Sequence, residues 1–193
     1  MIRAVVFDLD GLLVDSEPIW QEVAIEVFSS VGVPLSVAVC QEATGLGTND
    51  FIAYMRQRYP WEGKSSGQLA MEIIGLAHER IRSEALAMPG AEALVQRCHE
   101  QKLALAVASA SPMAIIEAVL DRLRLKPFFT LWHSCDLEKR SKPHPDVYLG
   151  ALERLGLLPL QALAFEDSGN GLRSAHSAGL RTVAVPASYE YND

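Results

Sequence analysis

The chain has 193 residues, 49% of them hydrophobic and 21% charged. That suits a globular protein with one sizeable core plus a smaller accessory unit, and it excludes disordered, collagen-like and low-complexity chains. With 17 basic residues against 24 acidic ones the net charge is −7, which gives no basic footprint for nucleic acid or an anionic membrane surface.

The first segment, Ile2 to Phe7, is a short β-branched apolar run. It reads as a strand buried on both faces, as in a parallel sheet. Asp8 and Asp10 follow at once, where an export signal would stay uncharged, and no apolar stretch reaches membrane-spanning length. Cys40, Cys98 and Cys135 form neither a disulfide framework nor a CxxC metal spacing. These features together predict a cytoplasmic protein.

From Ser16 to Met88 the pattern is helical, with no convincing strand. Ser16 is placed to cap a helix beginning at Glu17-Pro18 that carries Trp20, Val23, Ala24, Val27 and Phe28 inward. Further helical runs cover Asp50 to Arg58 and Gln68 to Leu86. Gly45-Leu46-Gly47 and Pro60-Trp61-Glu62-Gly63 read as turns. Beyond Pro89-Gly90 strands resume, at Leu103–Ala108, Phe128–Trp132, Ala162–Phe165 and Arg181–Val185. Between them lie a helix opened by Ser111 as N-cap with Pro112 at its first position, a helix from Pro145 to Leu155 stopped by Gly156, and a helix after Asn170 stopped by Gly179. Strands alternating with helices predict a doubly wound, Rossmann-like α/β core of parallel strands, residues 1–15 and 89–193, with an inserted α-helical cap, residues 16–88.

Ligands of such sheets bind beyond the carboxyl ends of the strands. Strand one ends in Asp8-Leu9-Asp10-Gly11 and strand two in Ser109-Ala110-Ser111; Ser141-Lys142-Pro143 follows strand three, and Glu166-Asp167-Ser168-Gly169-Asn170-Gly171 ends strand four. Clustered carboxylates call for a cation, and all-oxygen ligands suit Mg²⁺. A metal, a lysine and backbone N–H groups together neutralise a phosphate. Asp8 is then the candidate nucleophile, and Asp10 the candidate acid and base. Taken singly, each motif has a plain reading: a strand-end acid, a helix cap, a solvated loop lysine. Jointly, their place at the ends of successive strands points to phosphate chemistry.

Asp8-Leu9-Asp10-Gly11, Ser109, Lys142-Pro143 and Glu166-Asp167-Ser168 stand in the order of the four motifs of the haloacid dehalogenase-like hydrolase superfamily, and the chain resembles it throughout, including a helical cap after the first motif. The resemblance implies Asp8 as nucleophile and Asp10 as acid/base. It implies Ser109, Ala110 and Lys142 as phosphoryl ligands. Asp8, the Asp10 carbonyl and Asp167 would bind Mg²⁺, with Glu166 acting through water or directly. Dehalogenating members lack the second aspartate, so Asp10 favours phosphatases. Asp15-Ser16-Glu17-Pro18-Ile19-Trp20, Tyr59-Pro60-Trp61-Glu62-Gly63 and Ser141-Lys142-Pro143-His144-Pro145 are similar to pieces of hexitol and 2-deoxyglucose-6-phosphate phosphatases. The implied substrate is a small sugar or polyol phosphate.

Two alternatives stand beside that reading: a β-phosphoglucomutase-like phosphoryl transferase, and a non-catalytic phospho-ligand binding protein on the same fold. Trp20 stands where similar mutases carry a histidine, and the cap loop Gly45-Leu46-Gly47-Thr48-Asn49 lacks the arginine some relatives use. Trp20 and Trp61 either stack on a sugar face or pack the cap's own core. Glu17 is either an acceptor for a substrate hydroxyl or a first-turn helix acid. His144 reads as a loop histidine, and Lys139-Arg140 as a solvated pair. Hinges are expected near Val14-Asp15 and Met88-Pro89. Relatives continue past the fifth strand by roughly 20 residues, whereas this chain stops at Tyr189-Glu190-Tyr191-Asn192-Asp193. The last strand is therefore expected at an unprotected edge, through truncation or because a partner covers it. Nothing in the sequence sets the oligomeric state.

Overall fold

A computed structural model describes residues 1–185. Its centre is a five-stranded parallel sheet. The strands are β1 (Ala4–Phe7), β4 (Ala104–Ser109), β5 (Leu131–Ser134), β6 (Ala162–Glu166) and β7 (Arg181–Ala184), in the order β5-β4-β1-β6-β7. β1 sits in the middle, with Ala4 opposite both Ala104 and Ala162. The order reverses on either side of β1, which puts the crevice of the fold at its carboxyl end.

The two faces of the sheet differ in chemistry. Ala4, Val6, Ala106, Ala108 and Ala164 face one side, with Val147, Tyr148, Ala151 and Leu152 of α7 (Asp146–Leu155) and Ala175 of α8 (Gly169–Ser177). Small side chains here let two helices approach closely. Val5, Phe7, Leu105 and Val107 face the other side, with α5 (Ala91–Glu100) and α6 (Met113–Arg122). Phe7 stacks on Phe165 at 5.6 Å and meets Phe129 edge-on at 5.8 Å. The strands thus keep a period of two even though both faces are buried.

Between Val14 and Ala87 lies a helical insert of α1 (Glu17–Ser29), α2 (Val37–Gln41), α3 (Thr48–Arg58) and α4 (Ser66–Glu84). Its entry and exit pair as two short antiparallel strands, β2 (Val14–Asp15) and β3 (Leu86–Ala87). Trp61 is buried in the insert, edge-on to Phe28 at 5.3 Å, with the Arg56 guanidinium 4.2 Å above its ring. That settles Trp61 as a packing residue. The apolar cluster is continuous from Phe7 through Leu9, Leu12 and Leu13 into α1 and α4.

Several expectations shift. The third strand begins at Leu131, not Phe128, because Lys126–Phe128 form a 3₁₀ turn with Pro127 inside it. The helix after β4 starts at Met113, with Pro112 in the capping position, so Ser111 is not its cap. Ser16 stands at the N-cap of α1 but makes no side-chain capping bond. Leu86 belongs to β3 rather than to the preceding helix. The three cysteines are free and buried. β7 lies at the sheet edge, with Val183 and Val185 exposed among the described residues. The chain end at Tyr189 to Asp193 lies outside those residues. No helix among them is long and apolar enough to cross a membrane.

Candidate active site

Four neighbouring chain segments deliver polar side chains to one rim. Asp8 follows β1, Ser109 ends β4, Lys142 lies in the loop after β5, and Glu166-Asp167 close β6; all five are buried. Lys142 Nζ donates to Asp8 Oδ1 at 2.5 Å, to Glu166 Oε1 at 2.6 Å and to the Ala108 carbonyl at 3.0 Å. The Tyr148 hydroxyl donates to the same Glu166 oxygen at 2.5 Å, and the ammonium stands 5.2 Å from the Tyr148 ring centre. Glu166 Oε2, buried as well, has no hydrogen-bond partner among the described residues. The Cβ of any larger residue at Gly171 would run into that carboxylate, so the first turn of α8 needs a glycine there.

Asp8, Glu166 and Asp167 each offer a carboxylate oxygen within 4.8 Å of the others. Burial, and then the charge of Glu166, push Asp8 up to about 8. Burial, and then Asp8 and Glu166, push Asp167 up to about 9. Burial opposes the charge of Lys142, but Asp8 and Glu166 overcome it and hold its pKa well above the ordinary lysine value. The cluster is therefore a buried group of three carboxyls with one ammonium built into it.

Asp10 faces elsewhere. Its Oδ1 accepts from the Ser16 hydroxyl at 2.5 Å and the Trp20 indole N–H at 2.9 Å, and its Oδ2 accepts from the Ser111 hydroxyl at 2.6 Å. The loop turns sharply after Leu9, whose carbonyl accepts the backbone N–H groups of Leu12, Leu13 and Val14. Gly11 has φ +76°, and a Cβ on it would strike the Asp167 carboxylate. Ser134 donates to the Ser111 carbonyl at 2.7 Å, and the Ser111 N–H donates to Ser109 Oγ at 3.0 Å, so β5 braces the loop that follows β4.

One pocket between rim and insert is lined by Asp8, Asp10, Ser109, Ala110, Lys142 and Asp167 on the core side, and by Glu17, Trp20, Gln21, Thr44 and Phe51 among others on the insert side. Every predicted site residue except Glu166 reaches it, and Glu166 is fully buried, bonded to Lys142. Ser16, Ser111 and Tyr148 were not predicted as site residues. Serines ahead of helices signal caps, and Tyr148 sits on the buried stripe of α7; only the fold brings them to Asp10 and Glu166. His144 is exposed and outside this pocket. Arg140 pairs with Asp146 at 2.7 and 3.0 Å.

The model of the haloacid dehalogenase-like hydrolases matches residues 2–179. The chain belongs to this family. As a haloacid dehalogenase-like hydrolase it is 36% identical to hexitol phosphatase B of Escherichia coli strain K12 over 193 residues, covering all of this chain and 87% of the relative. The structure of CbbY from Rhodobacter sphaeroides in complex with phosphate superposes with a TM-score of 0.89 at 27% identity, covering 100% of this chain and 90% of that one. A putative β-phosphoglucomutase from Thermotoga maritima superposes with a TM-score of 0.74 at 28% identity, over 100% and 88% of the two chains.

Proposed function

We propose that the chain is a Mg²⁺-dependent phosphatase that hydrolyses small sugar or polyol phosphate monoesters through an aspartyl-phosphate on Asp8. The observation that carries this is the division of labour between the two aspartates of one loop. Asp8 is paired with an ammonium, and Asp10, two residues on and lining the same pocket, is held by hydroxyl and indole donors instead. Hexitol phosphatase B and the phosphate complex of CbbY support a phosphorylated small molecule as substrate.

In the first transfer an Asp8 oxygen attacks phosphorus, the ester P–O bond breaks, and Asp10 gives its proton to the departing oxygen. In the second, Asp10 takes a proton from water, the water oxygen attacks phosphorus, and the Asp8–phosphorus bond breaks. Inorganic phosphate leaves, and both aspartates regain their starting states. The Ser109 hydroxyl, the Ala110 backbone and Lys142 hold the phosphoryl oxygens. Buried oxygen-only donors, with Glu166 Oε2 unpaired, suit a hard divalent cation. Asp8, Asp167, the Asp10 carbonyl and, directly or through water, Glu166 would hold it. When bound, such a cation neutralises the carboxylates and polarises the phosphoryl group.

Residues 16–88 act as a cap over residues 1–15 and 89–193, hinged near Val14-Asp15 and Met88-Pro89. The pairing of β2 with β3 supports this, since both crossings lie side by side. Closure excludes bulk water from the first transfer. Glu17 faces the pocket as an acceptor for substrate hydroxyls. No lysine or arginine of the insert lines the pocket among the described residues, which suits a neutral polyol better than a second phosphate.

The likeness to a putative β-phosphoglucomutase favours a second reading, in which Asp8 returns its phosphoryl group to a sugar. Product analysis decides. With Mg²⁺ and a panel of hexose and hexitol phosphates, inorganic phosphate is expected, and Asp8→Asn abolishes its release with the fold intact. An isomeric sugar phosphate establishes the mutase. No turnover of the panel or of an aryl phosphate leaves a binding protein.

A further inference from the structure

Tyr148 meets the charged cluster without lining the pocket. It stands in the first turn of α7 and is fully buried, on the stripe of Val147, Ala151 and Leu152 that packs against Ala4, Val6, Ala106 and Ala108 of the sheet. A phenylalanine would fill that stripe equally well, and a buried hydroxyl costs stability unless it is bonded. We propose that Tyr148 is a positioning residue for the phosphoryl site: its hydroxyl holds Glu166 Oε1 and so keeps the Lys142 ammonium extended towards Asp8 instead of collapsed onto Glu166. The inference rests on the phosphatase reading above, in which Lys142 holds phosphoryl oxygens, and gives a role to a side chain that reading does not use.

Two donors converge on Glu166 Oε1, Lys142 Nζ at 2.6 Å and the Tyr148 hydroxyl at 2.5 Å. Each oxygen of a carboxylate offers about two lone-pair directions, so the phenol fills one and leaves the ammonium the other. A phenol keeps its proton at neutral pH, so that place stays filled by a donor. The ring stands beside the ammonium, its centre 5.2 Å from Nζ, within range of a cation–π attraction. The other hydrogens of Lys142 go to Asp8 Oδ1 at 2.5 Å and to the Ala108 carbonyl at 3.0 Å. Glu166 Oε1 thus divides its charge between two donors, and it draws the ammonium less strongly than an oxygen with no other partner would. With the hydroxyl removed, Lys142 becomes the sole donor to Glu166. The ammonium then settles onto Glu166 and away from Asp8, where the phosphoryl group has to be held.

The loop that carries Lys142 runs directly into α7, so the phenol ties this lysine to the helix that follows it. α7 packs on β4 and β5. The phenol is therefore anchored in the core, and it acts whether or not the insert is seated.

Tyr148→Phe keeps the ring and removes the hydroxyl. The test measures the Kd of the folded protein for inorganic phosphate by calorimetry at saturating Mg²⁺, together with the melting temperature. Partners that orient charged groups at metal sites are worth about 10–100-fold, and a weakening of phosphate binding by about tenfold is expected in Tyr148→Phe. Tyr148→p-aminophenylalanine puts a weaker N–H donor at the same point. It is expected to recover part of the affinity, and to show a smaller loss of its own if Tyr148→Phe fails to fold. A merely structural Tyr148 lowers the melting temperature and leaves the Kd where it was: unchanged phosphate affinity in every folded variant overturns the proposal while leaving the phosphatase intact. A loss confined to Mg²⁺ affinity, with phosphate binding intact once Mg²⁺ saturates, overturns it too, since Tyr148 would then act on the carboxylates alone. A wild-type protein that neither binds phosphate nor releases it from a sugar or aryl phosphate overturns both.

Discussion

Lys142 spends its ammonium protons on Asp8, Glu166 and the Ala108 carbonyl, all in the dry interior. Replacing it by methionine keeps the volume and removes the ammonium that Asp8 and Glu166 share. Breaking a buried pair in this way costs about 3–5 kcal/mol; denaturant melts in EDTA are expected to show that loss, with Mg²⁺ restoring part of it and no activity returning. The same carboxylates set a pH dependence. In the metal-free folded chain Asp8 holds its proton up to about 8 and Asp167 up to about 9, whereas an unfolded aspartate releases it near ~4. Over that window the folded state binds more protons, so its stability falls as pH rises. Thermal melts from pH 5 to 9 in EDTA should therefore slope downward, and saturating Mg²⁺ should flatten them; an unchanged slope with Mg²⁺ would count against a cation at these carboxylates. In the sequence Asp8, Asp10, Ser109, Lys142 and Asp167 were readable because they end successive strands or, for Lys142, lie in the loop that follows one. Ser16 and Ser111 were not, because a serine ahead of a helix looks the same whether it caps the helix or turns towards a distant carboxylate.

At the start of α8 a short turn meets a buried charge. Ser168 accepts the Gly171 N–H at 3.1 Å, as a cap should. Gly171 itself leaves room for the Glu166 carboxylate behind it. Gly171→Ala improves helix propensity by about 1 kcal/mol, yet overpacking a closed interior costs about 1–3 kcal/mol, so a net loss of stability is expected. The alternative outcome, a more stable helix, would mean that Glu166 moves aside freely. If it did, the Lys142 and Tyr148 bonds to that carboxylate would be soft, and activity would drop while the melting temperature rose. The elements themselves were legible to differing degrees. β1, β4 and β6 are β-branched or alanine-rich runs with no competing pattern. β5 was displaced by three residues because Phe128 and Phe129 extend the apolar run backwards into a turn that Pro127 opens. α2 and α5 were not anticipated. α2 has five residues, too few to show a period, and α5 follows Gly90 at φ +83°, where a turn signal masks a helix start.

The whole molecule joins two bodies of different character across one seam. The sheet and its helices form a rim of fixed polar groups, and the insert supplies the opposite wall. Their apolar clusters run together through Leu12, Leu13 and Val14, so the seam is held partly by burial. The proposed opening of the insert on the reaction timescale requires that the contacts beyond β2 and β3 be few and weak. One of them is polar and specific: Asn170 Nδ2, at the start of α8, donates to the Thr44 carbonyl of the insert at 3.1 Å. A hydrogen bond of this kind contributes about 0.5–1.5 kcal/mol. If it acts as a latch, Asn170→Ala shifts the balance towards the open form and weakens apparent affinity for inorganic phosphate, the product, by up to about tenfold. The proposed phosphate ligands Ser109 and Lys142 are untouched by the change, so the loss belongs to closure. Hydrogen exchange distinguishes the two origins. With phosphate and Mg²⁺ the amides of Gly45 to Thr48 should be protected in the wild type and less so in Asn170→Ala, while those of β1 and β4 stay equally slow in both. Equal protection of the Gly45–Thr48 loop in the two proteins would show that burial alone seats the insert, and would leave Asn170 a helix-start residue with no part in closing the site.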